Sequence, residues 1–318
     1  MNSKRVIKKS LWIILVLFIF LNTIAFFHAY KFTHFEVSEK DKTEDPNYIS
    51  LVQKLSVAFF GISNPRPQNK KRPNLPFQTI RLQSNKEIEC WFIKAGISKG
   101  TVIMFYGYGG EKSSLLDKAS IFKNLGYNTL LVDFMGAGGS EGNQTTIGFK
   151  EAREVETCVN FIKRRGETNI ILFGTSLGAT AIMKALNENK EPAVRAIIIE
   201  CPFSTMLKTV KNRFAIIGIP AFPMAYFLVF WGGVQNGFNA FGHNPVNYAK
   251  NIKCPALLLY GEKDQRVTPE ETRAIFTNLS GPKTLVTFPL AAHENYLIKY
   301  REAWAKEVTA FLKRYTNK

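Results

Sequence analysis

Gly174-Thr175-Ser176-Leu177-Gly178 stands where the chain changes its period. Before it, Asn169-Ile170-Ile171-Leu172-Phe173 is a short apolar run rich in β-branched and aromatic residues, the composition of a strand buried on both faces. After it, Ala179 to Leu186 consists largely of helix formers. Gly-x-Ser-x-Gly at a strand-to-helix junction is a nucleophile elbow, a sharp turn that lifts a serine hydroxyl above the end of a sheet. Its glycines have a steric role, because a side chain at 174 or 178 would collide where strand and helix pass closest. The helix start then supplies backbone N–H groups and positive dipole beside Ser176, where an oxyanion would form.

The rest of the chain supplies a sheet for such an elbow. Thr79–Ser84 and Glu87–Lys94 alternate in polarity around Asn85-Lys86, which predicts a hairpin. Thr101–Phe105, Asn128–Asp133, Val194–Glu200, Ala256–Tyr260 and Thr284–Phe288 read as further strands. Helices are expected over Ser114–Leu125, Gly148–Arg164 and Pro269–Asn278, and a terminal helix turns Trp304, Val308, Phe311 and Leu312 inward. Strands alternating with helices imply parallel pairing through right-handed crossovers, hence an α/β three-layer sandwich with a mostly parallel sheet. Ligands in such sheets bind at the carboxyl ends of the strands. The glycine-rich turn Asp133–Ser140 lacks the Gly-Lys-Ser/Thr of a phosphate loop and the helix-opening Gly-x-Gly-x-x-Gly of a dinucleotide site. It is expected to be a tight loop beside the active site.

Leu11 to Phe27 carry no charge and follow Lys4, Arg5, Lys8 and Lys9. With its flanks this stretch approaches the ~20 residues that cross a bilayer, and no small-x-small cleavage site follows it. An uncleaved transmembrane anchor over 11–30 is therefore expected in preference to a cleaved signal peptide, with residues 1–10 a basic tail in the cytoplasm and the remainder on the other side. Residues 31–76, punctuated by Pro65, Pro67, Pro73 and Pro76, read as a stalk or linker with a short helix near Tyr48 to Phe60. The folded domain then covers 77–318. A net charge of +17 favours anionic partners. The basic residues are scattered, with no basic helix, zinc-ligand spacing or aromatic RNA-binding motif, so a membrane surface ranks above nucleic acid. Cys90, Cys158, Cys201 and Cys254 form no Cys-x-x-Cys pair, and no disulfide is expected.

Serine becomes a nucleophile when a base takes its proton. Of four histidines, His28 and His34 border the apolar segment and His243 falls in an insertion, which leaves His293, in the loop after the last strand. An acid must hold the imidazole tautomer. Asp264, at the end of strand Ala256–Tyr260, is the candidate, and Glu200 its rival. The order Ser176, Asp264, His293 suits this architecture.

On these residues, together with Phe105-Tyr106-Gly107-Tyr108-Gly109-Gly110, Asp133–Ser140, Gly261-Glu262-Lys263-Asp264 and Ala292-His293-Glu294, the chain from about Thr79 onward resembles the α/β-hydrolases. It is similar to their serine-aminopeptidase-like and lysophospholipase-like branch, which includes membrane-tethered members. The resemblance implies that the backbone N–H groups of Tyr108 and Leu177 form an oxyanion hole, and that neither metal nor organic cofactor is needed. Tyr106 replaces the usual histidine of the first turn, and Met135 stands where an arginine is common.

Between strands, Phe214 to Trp231 runs 18 residues without a charge. Spanning a bilayer there would put Asp264 and Ser176 on opposite sides, and Pro220 and Pro223 break a continuous helix. A cap over the strand ends, 204–248, is expected instead, lining an apolar pocket, dipping into lipid or covering core. The function expected is a serine hydrolase cleaving carboxylic, lipid or acyl, esters or thioesters. The alternatives are an aminopeptidase-like enzyme, which needs a carboxylate-lined subsite for a free amino terminus, and a non-catalytic scaffold binding a lipid or partner.

Overall fold

The computed structural model describes residues 3–36, 50, 52–53, 56–57, 61–189 and 194–316. The expected helix near Tyr48 to Phe60 lies largely outside them. The apolar runs assemble into one sheet of β1 (Phe77–Gln83), β2 (Glu87–Ile93), β3 (Thr101–Phe105), β4 (Asn128–Val132), β5 (Ile170–Thr175), β6 (Ala196–Glu200), β7 (Ala256–Gly261) and β8 (Lys283–Phe288). Its spatial order is β1-β2-β4-β3-β5-β6-β7-β8. β1 to β2 and β2 to β4 are antiparallel and every other pair is parallel. All residues of β3 and β6 are buried, as a Val/Ile-rich run covered on both faces must be.

The covering layers follow the helical periodicities. α2 (Leu116–Asn124) and α9 (Tyr296–Tyr315) lie on one face; α3 (Glu151–Arg164), α4 (Leu177–Glu188) and α8 (Pro269–Asn278) lie on the other. Trp304, Val308, Phe311 and Leu312 of α9 are buried, as the sequence pattern requires. α8 starts on a capping box in which Thr268 accepts from the Glu271 backbone and Glu271 accepts from the Thr268 backbone.

The insertion forms α5 (Met206–Ile217) and α6 (Met224–Asn236), followed by the short α7 (Pro245–Tyr248). Gly218, at φ 75°, ends α5, and α6 begins after Pro223, so the prolines fall between the helices.

The N-terminal apolar segment is a helix, α1 (Ser3–Thr33), and its part Ile7–Thr33 is long and apolar enough to cross a membrane. Its second half packs along α6. Phe18 meets Phe227 edge-on, Phe26 meets Trp231 edge-on, and Ala25 and Ala29 are buried. Trp231 Nε1 donates to Asn22 Oδ1 at 3.2 Å, and Gln235 Nε2 donates to the Phe26 carbonyl at 2.8 Å. The described end of the 31–76 segment also lies against the domain. Arg66 donates to the carbonyls of Gly138 and Ser140, and Asn69 to the Asp133 carboxylate.

Candidate active site

Ser176 joins β5 to α4 with φ 50° and ψ −107°, outside the regions a serine ordinarily occupies. Such a residue costs on the order of 1–3 kcal/mol and persists only where its surroundings fix it. Here they do. The Ser176 N–H donates to the Glu200 carbonyl at 2.8 Å, and the Ser176 carbonyl accepts from Thr180 N at 2.9 Å. A Cβ on Gly174 would stand 2.6 Å from the Gly178 carbonyl carbon, and one on Gly178 would stand 2.5 Å from the Phe105 carbonyl oxygen. Both glycines are thus demanded by close backbone approach.

The loop after β8 carries His293 to this turn, and the loop after β7 brings Asp264. His293 Nε2 lies 3.1 Å from Ser176 Oγ, and His293 Nδ1 lies 2.7 Å from Asp264 Oδ2. The other Asp264 oxygen accepts from the backbone N–H groups of Arg266 and Val267 at 2.8 and 3.0 Å, which fixes the carboxylate plane. Burial alone would lower the His293 pKa. Charge on Cys201 and Asp264, with hydrogen bonds to both, outweighs that and raises it to about 10. Cys201 acts so only as a thiolate, so with a neutral thiol the raising partner is Asp264.

Glu200 is occupied elsewhere. Its side chain accepts from Lys118 Nζ at 2.8 Å, Thr175 Oγ1 at 2.9 Å and Trp304 Nε1 at 2.7 Å, beneath the strand ends. His243 is buried with Ile147 and Tyr248 as partners, and burial lowers its pKa to about 4.

Ser176 and His293 open into a small cavity of about 30 Å³. Tyr108 and Leu177 also line it. Leu177 is the first residue of α4, where a backbone N–H has no partner within its own helix. Tyr106, in place of a histidine, is buried and its hydroxyl accepts from Phe134 N at 2.9 Å, docking the first turn onto the loop after β4. Met135 is buried in that loop, its N–H donating to Glu154. The glycine-rich turn is a structural clasp. Asp133 bonds Lys112, Asn69 and the Gly139 N–H, and a Cβ at Gly138 would overlap its carboxylate. None of its residues lines the cavity.

Four contributors were not foreseen. Phe32, from the last turn of α1, lines the cavity; its ring stacks on Tyr108 at 4.5 Å and its carbonyl accepts from the Tyr108 hydroxyl at 2.7 Å. No sequence signal links residue 32 to residue 108. Arg213 and Arg266 line the cavity as well. Cys201, at φ 39°, has its sulfur grouped with ligand atoms of Asp264 and His293, all within 4.8 Å of one another. Its place one residue past the end of β6, the neighbour of the elbow strand, was a legible sign. These three atoms are the one metal-like grouping among the described residues, and the hydrogen bonds of both imidazole nitrogens already engage that ring. All four cysteines are free; Cys201 and Cys254 lie at opposite ends of adjacent strands.

Comparisons with known proteins agree with this fold. A Pyrococcus furiosus esterase, Pf2001, superposes with a TM-score of 0.66 at 24% identity, over 79% of this chain and 97% of its own. A Pyrococcus horikoshii acylaminoacyl peptidase superposes with a TM-score of 0.57 at 19% identity, over 76% of this chain and 42% of its own. Among curated sequences, the α/β hydrolase domain-containing protein WAV2 of Arabidopsis thaliana is 25% identical over 80% of this chain and 84% of its own length. Protein YqkD of Bacillus subtilis is 23% identical over 71% and 75%. The pattern of the prolyl oligopeptidase family matches residues 114–318, nearly two thirds of the chain and the part that holds Ser176, Asp264 and His293. With that match, an eight-stranded sheet of this order and an elbow at its centre, the chain belongs to the prolyl oligopeptidase family and has the α/β-hydrolase fold.

Proposed function

We propose that this protein is a membrane-anchored serine hydrolase that cleaves carboxylic esters or thioesters of lipid or acyl type through an acyl-enzyme. The observation that carries this is the unbroken chain from Ser176 Oγ through His293 to Asp264, at 3.1 and 2.7 Å. In this reading His293 takes the Ser176 proton as Oγ attacks the carbonyl, and Asp264 stabilises the imidazolium. The N–H groups of Tyr108 and Leu177 hold the oxyanion. His293 then gives its proton to the departing alcohol or thiol as that bond breaks, and a water activated by the same imidazole releases the acid and restores Ser176. Ser176→Ala is expected to lower turnover of a p-nitrophenyl acyl ester by ~10⁵ or more. Fluorophosphonate labelling of Ser176 should be lost with it. An enzyme that neither labels nor hydrolyses any ester would instead be a binding scaffold.

The ester reading is favoured over an aminopeptidase by the cavity walls. A free amino terminus needs a carboxylate, whereas among the described residues the charged lining groups besides His293 are Arg213 and Arg266. Turnover of p-nitrophenyl acyl esters against aminoacyl-amides tests this preference.

Membrane anchorage is supported by the contacts of α1, since a cleaved segment would not be built into α6 and the cavity. The basic residues before it favour a cytoplasmic N-terminus and a catalytic domain on the far side. N-terminal sequencing of the membrane-bound protein is expected to begin at or next to Met1; a start beyond residue 30 would mean a processed leader.

A further inference from the structure

We propose that Phe32, in the last turn of α1, is a positioning residue for acyl transfer: it holds the turn Tyr106–Gly110 so that the Tyr108 N–H meets the developing oxyanion. This rests on reading the site as an acyl-transfer centre, and adds that the apolar N-terminal helix completes that centre. The turn passes directly beside the nucleophile, since a Cβ on Gly107 would stand 3.5 Å from Ser176 Cβ. The Tyr106 carbonyl accepts from Gly178 N at 3.0 Å, which ties the near end of the turn to the elbow.

Tyr108 lies between Gly107 and Gly109, the latter at φ 68°, so adjacent side chains do nothing to fix it. Its N–H shares a peptide plane with the Gly107 carbonyl, which accepts from Gly110 N at 3.0 Å. In a trans peptide the N–H then points the opposite way, out of the turn. The tilt of that plane follows the Tyr108 side chain, and Phe32 grips that side chain twice. The two rings stack with centroids 4.5 Å apart and planes 6° from parallel, and the Phe32 carbonyl accepts from the Tyr108 hydroxyl at 2.7 Å. The stack fixes the plane of the tyrosine ring, and the hydrogen bond fixes where its far end sits.

Phe32 is itself held. The buried Asn64 donates from Nδ2 to the Lys31 and Phe32 carbonyls at 3.1 and 3.4 Å, and Thr145 N donates to the Thr33 carbonyl at 2.8 Å. The Arg213 guanidinium of α5 stands over the Phe32 ring at 5.7 Å. From there α1 runs unbroken back to its contacts with α6 at Phe26 and Phe18. As one hydrogen-bonded rod, α1 carries any displacement of its packing against α6 to Phe32, and through it to the oxyanion donor.

The test uses the full-length protein in detergent with p-nitrophenyl hexanoate. An oxyanion contact is made only in the transition state, so Phe32→Ala should lower kcat about tenfold to a hundredfold, less than loss of a whole donor, and leave KM nearly unchanged. Phe32→Leu, which fills the wall without a flat ring, should stay impaired. Tyr108→Phe keeps the stack and loses the bond to the Phe32 carbonyl, and should lower kcat about threefold to tenfold. Hexyl trifluoromethyl ketone gives a second readout. Ser176 Oγ adds to its carbonyl carbon, the carbonyl electron pair moves onto oxygen as an oxyanion, and His293 takes the serine proton. Its inhibition should weaken in step with kcat in each variant, while inhibition by the matching alcohol, which Ser176 cannot attack, should not change. A rise in KM alone, full kcat in Phe32→Leu, or equal weakening of ketone and alcohol would make Phe32 only a wall and overturn the proposal. Should Phe32→Ala fail to fold, Tyr108→Phe decides: loss of both kcat and ketone affinity supports the proposal, and loss of neither overturns it. A wild type that neither hydrolyses esters nor takes a fluorophosphonate overturns the acyl-transfer reading and this proposal with it, whereas an active enzyme indifferent to Phe32 overturns this proposal alone.

Discussion

Ser176 sits in a strained conformation because three backbone segments leave it no other, and the glycines around it are the means. Gly178→Ala would drive a methyl group to within 2.5 Å of the Phe105 carbonyl oxygen, so neighbouring backbone must move. Overpacking of this kind costs ~1–3 kcal/mol, and a melting temperature several degrees lower, read by calorimetry, is the expected result. The raised pKa of His293 has its own signature. A base must be unprotonated to accept the Ser176 proton, so activity rises as pH increases through that pKa, and the acid limb of kcat/KM should lie well above the ordinary imidazole value of about 6.5. Asp264→Asn removes a raising partner, so the limb should move to lower pH while the maximal rate drops ~10⁴. The pH profile of this variant beside that of the wild type checks both. Ser176, His293 and Asp264 were legible because strand ends and chain order narrow the choice, and Glu200 was resolved from Asp264 only by seeing Lys118 and Trp304 claim it.

At the level of elements, the sheet could be read almost strand by strand, because runs such as Thr101–Phe105 and Ala256–Gly261 are apolar, short and bounded by turn residues. The helices between them were offset by a few residues at their starts, where the first turn is 3₁₀ or loop, as at Lys112–Leu115 before α2. What could not be read was the partner of α1. A uniformly apolar helix has no polar face to say which side meets protein. Its packing face is set instead by small residues, Ala25 and Ala29, four positions apart and both buried, with Asn22 bonding Trp231 on the same side. Ala25→Leu is expected to push α1 off α6 at a cost of ~1–3 kcal/mol. The part of the change in tryptophan emission that is absent from a matched Trp231→Phe protein reports the separation.

For the whole molecule, the length of α1 that stands clear of the domain is the telling quantity. α6 lies beside Phe18 to Phe26, so Ile7 to Leu17 is the portion that projects freely, roughly 16 Å of helix against a hydrocarbon core of ~30 Å. For α1 to span a bilayer, the cap beside it must sink into one leaflet, and Phe222 and Phe230, 77% and 49% exposed, are apolar enough to do so. Lipids brominated along the acyl chain should therefore quench a Trp12→Phe protein reconstituted in vesicles more than the same protein carrying Trp231→Phe as well. Equal quenching of the two would place the cap outside the membrane. The stack of Phe32 on Tyr108 also bears on how this enzyme can be handled in the laboratory. A fragment begun after residue 36 would lose one wall of its own reaction chamber along with α1. Rates and substrate preferences collected on such a fragment would describe a different vessel from the one the cell makes.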